Sequence, residues 1–206
     1  MLQRVRRLAE DFSKVKKLYP DVPSVARRMF VTNSLDGLLA ALGVNVGGYS
    51  PGSDPVLMAS SIIGGGVAMG IMSGMVGVYL SERAERIREV RDLEKKLSAK
   101  LKRSSVYWRA AALIPVYVAL WSGVGIVLFP TLVALPYLLA AGAGMGVEAA
   151  FIASTGIALL LMTLLGAYLG RISQENTIVS ALRGLSLGLA ALVLVYLLKG
   201  ALGMVY

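Results

Sequence analysis

The chain opens on a helical alternation of apolar and basic positions and then passes into long apolar runs. Leu2, Val5, Leu8, Phe12, Val15 and Leu18 recur at spacings of three and four, while Arg4, Arg6, Arg7, Lys14, Lys16 and Lys17 fill the other faces. This pattern predicts a basic amphipathic helix over 1–19, within an N-terminal segment of residues 1–28. Such a helix can lie in the lipid headgroup layer or dock against the protein's own surface, and the pattern fits both. Pro20 and Pro23 break the periodicity ahead of the first apolar run.

Residues 29–206 then read as one membrane domain. A first span is expected over about 30–49, followed by the turn-rich stretch Gly47-Gly48-Tyr49-Ser50-Pro51-Gly52-Ser53-Asp54-Pro55. A second span, about 56–80, runs without a breaker into the charged stretch 81–106, so one long helix leaving the bilayer is expected. Between Ala110 and Gly170 the only charged residue is Glu148. At a rise of about 1.5 Å per residue that stretch holds two spans of about 25 residues. They are expected at 110–130 and 147–170, with Pro130, Pro136, Gly142, Gly144 and Gly146 placing a loop within 131–146. A polar link, 171–183, leads to a last span at about 178–198. The expected fold is all-α: a polytopic membrane protein with five transmembrane helices, the second extending into the cytoplasm.

Charge sets the expected orientation. Residues 1–28 hold eight Lys and Arg, 81–109 hold ten and 171–183 hold two, while 46–56 and 130–147 hold none. With five spans, all of the 21 basic residues except Lys199 fall on one face. The positive-inside rule makes that face cytoplasmic, with the N-terminus inside and the C-terminus outside. A sixth span would put Arg171 and Arg183 outside. The net charge of +9 therefore belongs to membrane orientation and anionic lipid, and no nucleic-acid partner is expected. The absence of cysteine and histidine excludes disulfides, thiolate or imidazole metal ligands and His-activated nucleophiles. No P-loop, Rossmann fingerprint or HExxH motif is present. One intramembrane acid gives little catalytic machinery, so no enzymatic activity and no prosthetic group are expected.

Asp36, inside the first span, is the leading candidate for function. A carboxylate in hydrocarbon is costly unless it is paired, solvated or protonated, and a structural hydrogen bond within the bundle is the competing explanation. Asn33 and Asn45 share its span and form a candidate polar pathway. Met69, Met72 and Met75 fall at steps of three in the second span. Thioethers suit a transition metal that sheds water, yet methionine is also a common apolar filler. Glu82, Glu85 and Glu89 lie on one face of the following helix. They can collect cations at an entrance, or belong to a solvated helix laced by pairs such as Glu82–Arg86 and Arg88–Asp92. Glu148 is read as an exit-side ligand or an interfacial residue. Gly66, Gly70 and Gly74 repeat the GxxxG spacing, as do Gly43/Gly47, Gly166/Gly170 and Gly184/Gly188, which allows close helix packing.

Three segments resemble the vacuolar iron transporter family of five-span divalent-metal transporters. Asn33-Ser34-Leu35-Asp36-Gly37-Leu38-Leu39 is similar to that family's span-one NDG signature. Met72-Ser73-Gly74-Met75-Val76-Gly77-Val78-Tyr79-Leu80-Ser81, followed by Glu82 and Glu85, is similar to the end of its span two. Arg171 through Gly200 resembles its last cytoplasmic link and final span. The resemblance implies a homodimer with the metal path between two copies and Asp36 as a transport ligand. Gly74, flanked by Met72 and Met75, falls at the family's span-two methionine, and Val78 stands where the family has glutamate. The stretch 81–106 is too short for the Glu-rich cytoplasmic domain of some relatives.

The expected function is export of Fe2+, or alternatively Mn2+, from the cytoplasm in exchange for protons, across a prokaryotic-type plasma membrane. The alternative is a non-transporting scaffold that holds a partner or anionic lipid through its basic helices.

Overall fold

The structure, a computed structural model, describes residues 15, 17–144 and 146–203. Its elements are α1 (Val22–Gly48), α2 (Pro55–Met69), a π-helical stretch (Gly70–Met75), α3 (Val76–Leu97), α4 (Val106–Ala143), α5 (Val147–Ile172) and α6 (Thr177–Ala201). No strand occurs among the described residues. The π-helical stretch joins α2 and α3 into one helical run, so five helices are long and apolar enough to cross a membrane. That fits an apolar solvent, where a chain must satisfy its backbone groups internally. The Pro55–Leu97 run has 43 residues, about 65 Å at the α-helical rise, against a hydrocarbon core of about 30 Å. Its polar length from Ser81 onward accounts for the excess.

Most of the amphipathic helix expected over 1–19 lies outside the described residues. Val15 is buried with Val22 and Ala26 of α1, Val78 of α3, and Ala110, Ile114, Val118 and Ala119 of α4. At that position the chain packs on the protein rather than in headgroups. These residues form the core of the first compact unit, residues 1–30 and 71–124. Trp121 meets Phe30 and Tyr117 edge-on there, at 6.2 and 6.4 Å between centroids.

The second unit comprises residues 31–70 and 125–206. Buried positions recur at helical spacing on each of its helices: Leu38, Ala41, Leu42 and Val46; Ala59, Ile62 and Gly66; Ile126, Val133 and Tyr137; Ala150, Ser154, Ala158 and Met162; Ser180, Gly184 and Gly188. Gly37 and Gly66 seat α1 and α2 against Pro130 of α4. A Cβ on Gly66 would stand 2.6 Å from the Pro130 ring, and one on Gly70 would overlap Ile126. The α5–α6 seam is closer still, for Gly166 and Gly170 face Ser180 and Gly184, while Gly188 meets Leu159 and Met162.

Three boundaries differ from the sequence reading. Helix α1 starts at Val22, because Pro23 occupies its first turn, where the missing N–H costs nothing. The loop expected within 131–146 shrinks to the link after Ala143, since α4 runs through Pro130 and Pro136. Membrane helices tolerate such prolines when neighbours hold the carbonyls. Thr131 and Ser154 donate to the carbonyls one residue beyond those that the prolines free, Val127 and Val133, each at 2.7 Å. The helix expected over 81–106 ends at Leu97: Ser98 turns left-handed at φ 48°, and the Glu94 carboxylate accepts from Leu101 N–H at 2.9 Å.

Side-chain caps begin α2 and α6. Asp54 accepts from Val56 N–H, and Asn176 from those of Ile178 and Val179.

The α5–α6 seam yields a direct test. A Cβ on Gly184 would overlap the Met162 carbonyl oxygen and lie 3.2 Å from the Gly166 Cα. Both are backbone atoms that cannot rotate away, so Gly184→Ala should cost about 1–3 kcal/mol. Gly156→Ala on α5 meets nothing within 4 Å and should be neutral or stabilising by up to about 1 kcal/mol through helix propensity. Unfolding in detergent compares the two. Equal effects would mean that the seam does not depend on glycine.

Candidate metal-binding residues and the Arg86 ion network

Helix α1 divides its faces sharply around Asp36. Asn33, Ser34, Gly37 and Leu38 turn inward and are buried, whereas Thr32, Asp36 and Leu39 are exposed on the chain surface. Asn45 is fully buried. Its Nδ2 donates to Thr155 Oγ1 at 2.9 Å, and its Oδ1 accepts from the Tyr137 hydroxyl at 2.6 Å. Those bonds tie α1 to α4 and α5 and make Asn45 a structural node. Nearby, Lys199 of α6 donates to the carbonyls of Val46 and Tyr49, at 3.2 and 2.8 Å, which neutralises the negative end of α1. Tyr49 stacks on Phe151 with ring centroids 4.1 Å apart.

The methionine stripe does not survive as a stripe. Met72 and Met75 lie within the π-helical stretch, whose i→i+5 bonding widens the turn. Steps of three therefore cover less angle than in an α-helix. Met69 and Met72 are exposed, by 64% and 72%, while Met75 turns inward beside the core of the first unit. The Met75 sulfur lies 2.9 Å from where a Cβ on Gly123 would stand.

The three glutamates of α3 also part company. Arg86, the one buried charged residue among the described residues, draws two of them in. Its Nη1 donates to both Glu89 oxygens at 3.0 and 2.9 Å, and its Nη2 to Asp21 at 3.3 Å. Tyr19 covers the guanidinium 5.1 Å from its ring centroid. Glu82 approaches Nε at 3.7 Å; that nitrogen and Glu82 Oε2 are both buried without a hydrogen bond. Glu85 instead points outward to Arg88 at 3.9 Å, and Arg88 also reaches Asp92 at 4.0 Å. The pairs Glu82–Arg86 and Arg88–Asp92 thus form, and the acids make no open cluster. Among the described residues, no group of three or more Asp or Glu is placed to hold a metal ion. Glu148 is exposed in the first turn of α5, where a carboxylate complements the helix dipole.

Burial pushes the Glu82 carboxyl above its ordinary range, against the opposing pull of Arg86 and Arg28. Burial alone would lower the Arg86 pKa, but Glu89 and Asp21 outweigh it and hold the group above its usual value. Arg86 is therefore the permanent charge, and Glu82 is the acid that gains least from it. The sequence reading singled out the acids of this network rather than its centre. The Glu82–Arg86 spacing was visible, but the contribution of Asp21 and Tyr19, some 65 residues earlier, was not. Thr155, Tyr137 and Lys199 were likewise missed as partners of α1, for each lies about a hundred residues or more from the group it holds.

Five long apolar helices, polar groups buried in pairs and a charged extension define a multi-pass α-helical membrane protein. No family model matches the chain. It is 30% identical over 177 residues to the uncharacterized protein MJ0645 of Methanocaldococcus jannaschii, covering 84% of this chain and 88% of that one. The chain belongs to the same family as MJ0645.

Glu89 and Glu82 should respond oppositely to neutralisation. Glu89→Gln removes a charged two-bond contact from buried Arg86 and should cost about 1–2 kcal/mol at neutral pH. Glu82 has a raised folded pKa, so the stability it contributes is present below its ordinary value of 4.5 and is lost as pH rises through the folded value. Relative to wild type, Glu82→Gln should therefore gain stability from pH 5 to pH 8. Thermal unfolding in detergent at the two pH values checks both, and a Glu82→Gln difference that shrinks with pH would refute the assignment.

Proposed function

We propose that the protein is a homodimeric transporter that exports a divalent transition metal, Fe2+ or Mn2+, from the cytoplasm in exchange for protons. The observation that carries this reading is the exposure of Asp36 on the surface of a membrane-spanning helix. A carboxylate there is expensive against lipid, and a water-filled path, a cation or a second copy of the chain relieves that cost. A carboxylate can alternate between a proton and a metal ion. Two copies meeting on this face would supply two such groups. The resemblance of the Asp36 segment to the vacuolar iron transporter family supports the same reading. The chain is read as a carrier rather than an enzyme.

The basic residues of 1–28, 81–109 and 171–183 support an orientation with those segments cytoplasmic and the C-terminus outside. A relative in Methanocaldococcus jannaschii supports a prokaryotic plasma membrane. The scaffold reading retains one favourable observation, that Glu82 and Glu89 are engaged by Arg86 rather than open to cations.

Flux of Fe2+ and Mn2+ into proteoliposomes, with and without a pH gradient, tests the proposal. Wild type should show gradient-dependent flux, and Asp36→Asn should lose it while remaining folded and dimeric. Full activity in the variant would remove Asp36 from the mechanism. No flux by folded, inserted wild type would move the scaffold reading to the front. Orientation has its own test, because the chain has no cysteine. Ser53→Cys should react with an impermeant thiol reagent on intact cells, and Gln174→Cys only after permeabilisation. The reverse pattern would invert the topology.

A further inference from the structure

We propose that a pocket of the first unit, between α3 and the start of α4, binds the phosphate headgroup of an anionic phospholipid. The pocket has a volume of about 280 Å³. Tyr79, Arg83 and Ile87 line it at successive four-residue steps of α3, and Arg103, Trp108 and Ala111 line it from the following link and α4. Two guanidinium groups thus border one cavity, and no carboxylate lines it.

The acids of α3 explain why. Glu82 and Glu89 are engaged by Arg86, Glu85 by Arg88, and Asp92 by Arg88 and Lys95, while Glu94 caps Leu101. Neither Arg83 nor Arg103 has an ion-pair partner among the described residues. Arg103 is instead held over the Trp108 ring, 4.6 Å from its centroid, a cation–π contact that orders the side chain while leaving its charge uncompensated. Two guanidinia beside one cavity, one of them held over an indole ring, favour an anion that accepts several hydrogen bonds, and phosphate oxygens match their planar fork.

The same chemistry would suit a soluble phosphate ester, but the location selects lipid. On α3 the pocket begins at Tyr79, beside Leu80, where the apolar run ends, and passes Arg83 in the charged extension. Trp and Tyr, which flank the two arginines, are the residues that settle at headgroup depth. Ile87 and Ala111 supply an apolar wall for the glycerol end of the lipid. The site is independent of whether the chain carries metal.

Full-length protein in neutral detergent tests the site by native mass spectrometry and thermal unfolding, with phosphatidylglycerol, phosphatidylcholine and glycerol 1-phosphate as probes. Wild type should retain phosphatidylglycerol and unfold at higher temperature with it, and should respond to neither other probe. The double variant Arg83→Gln/Arg103→Gln should bind phosphatidylglycerol at least tenfold more weakly. Arg88→Gln, one such substitution on a side chain outside the pocket, should bind it as wild type does. Should the double variant fail to fold, Arg83→Gln alone is expected to show a weakening that Arg88→Gln does not. Undiminished binding by the double variant, or an equal loss in Arg88→Gln, would overturn the site. An equal response to glycerol 1-phosphate would overturn its assignment to lipid.

Discussion

In hydrocarbon a helix gains nothing by hiding its apolar side chains from lipid that is equally apolar. Helices associate there through close contact and through polar groups that cannot be left facing lipid. The α5–α6 seam shows the first device. Gly166 and Gly184 let the two backbones approach until one's Cα lies near the other's, a separation that a single methyl group on Gly184 would not permit. Pro130 shows a variant of it, with its ring set against Gly37 of α1 and Gly66 of α2.

The polar groups divide by what surrounds them. Asn45, Tyr137 and Thr155 satisfy one another inside the second unit, and Lys199 closes the end of α1. These bonds act as fasteners between helices distant in sequence. Asp36 differs because it occupies the outer face of α1. An acid so placed in a span is a functional candidate, and its position separates it from a structural tie better than residue type does.

Charge is distributed unevenly along α3 as well. Arg86 takes Glu82 and Glu89 with Asp21, and Arg88 takes Glu85 and Asp92, so the arginine that faces the Trp108 pocket keeps no acid of its own. The helix carries six basic residues against five acids, and the pairing decides which of the basic groups stay uncompensated. A membrane protein whose buried arginine gathers the acids leaves free basic groups where headgroups lie, and these need not bind metal or protein.

The sequence by itself determined the helical class, the five apolar runs and the concentration of basic residues in three segments. Each of these is a sum over neighbouring residues: hydropathy or charge over a window, or periodicity over a few turns. Only the tertiary structure decided that α4 continues through Pro130 and Pro136, and that the run of Gly70–Met75 is π-helical. The same holds for the division of the methionines, with Met72 outside and Met75 inside, and for the gathering of Asp21 and Tyr19 around Arg86. Those outcomes depend on partners tens of residues away, because packing contacts and ion pairs act over a few ångströms in space whatever their separation along the chain.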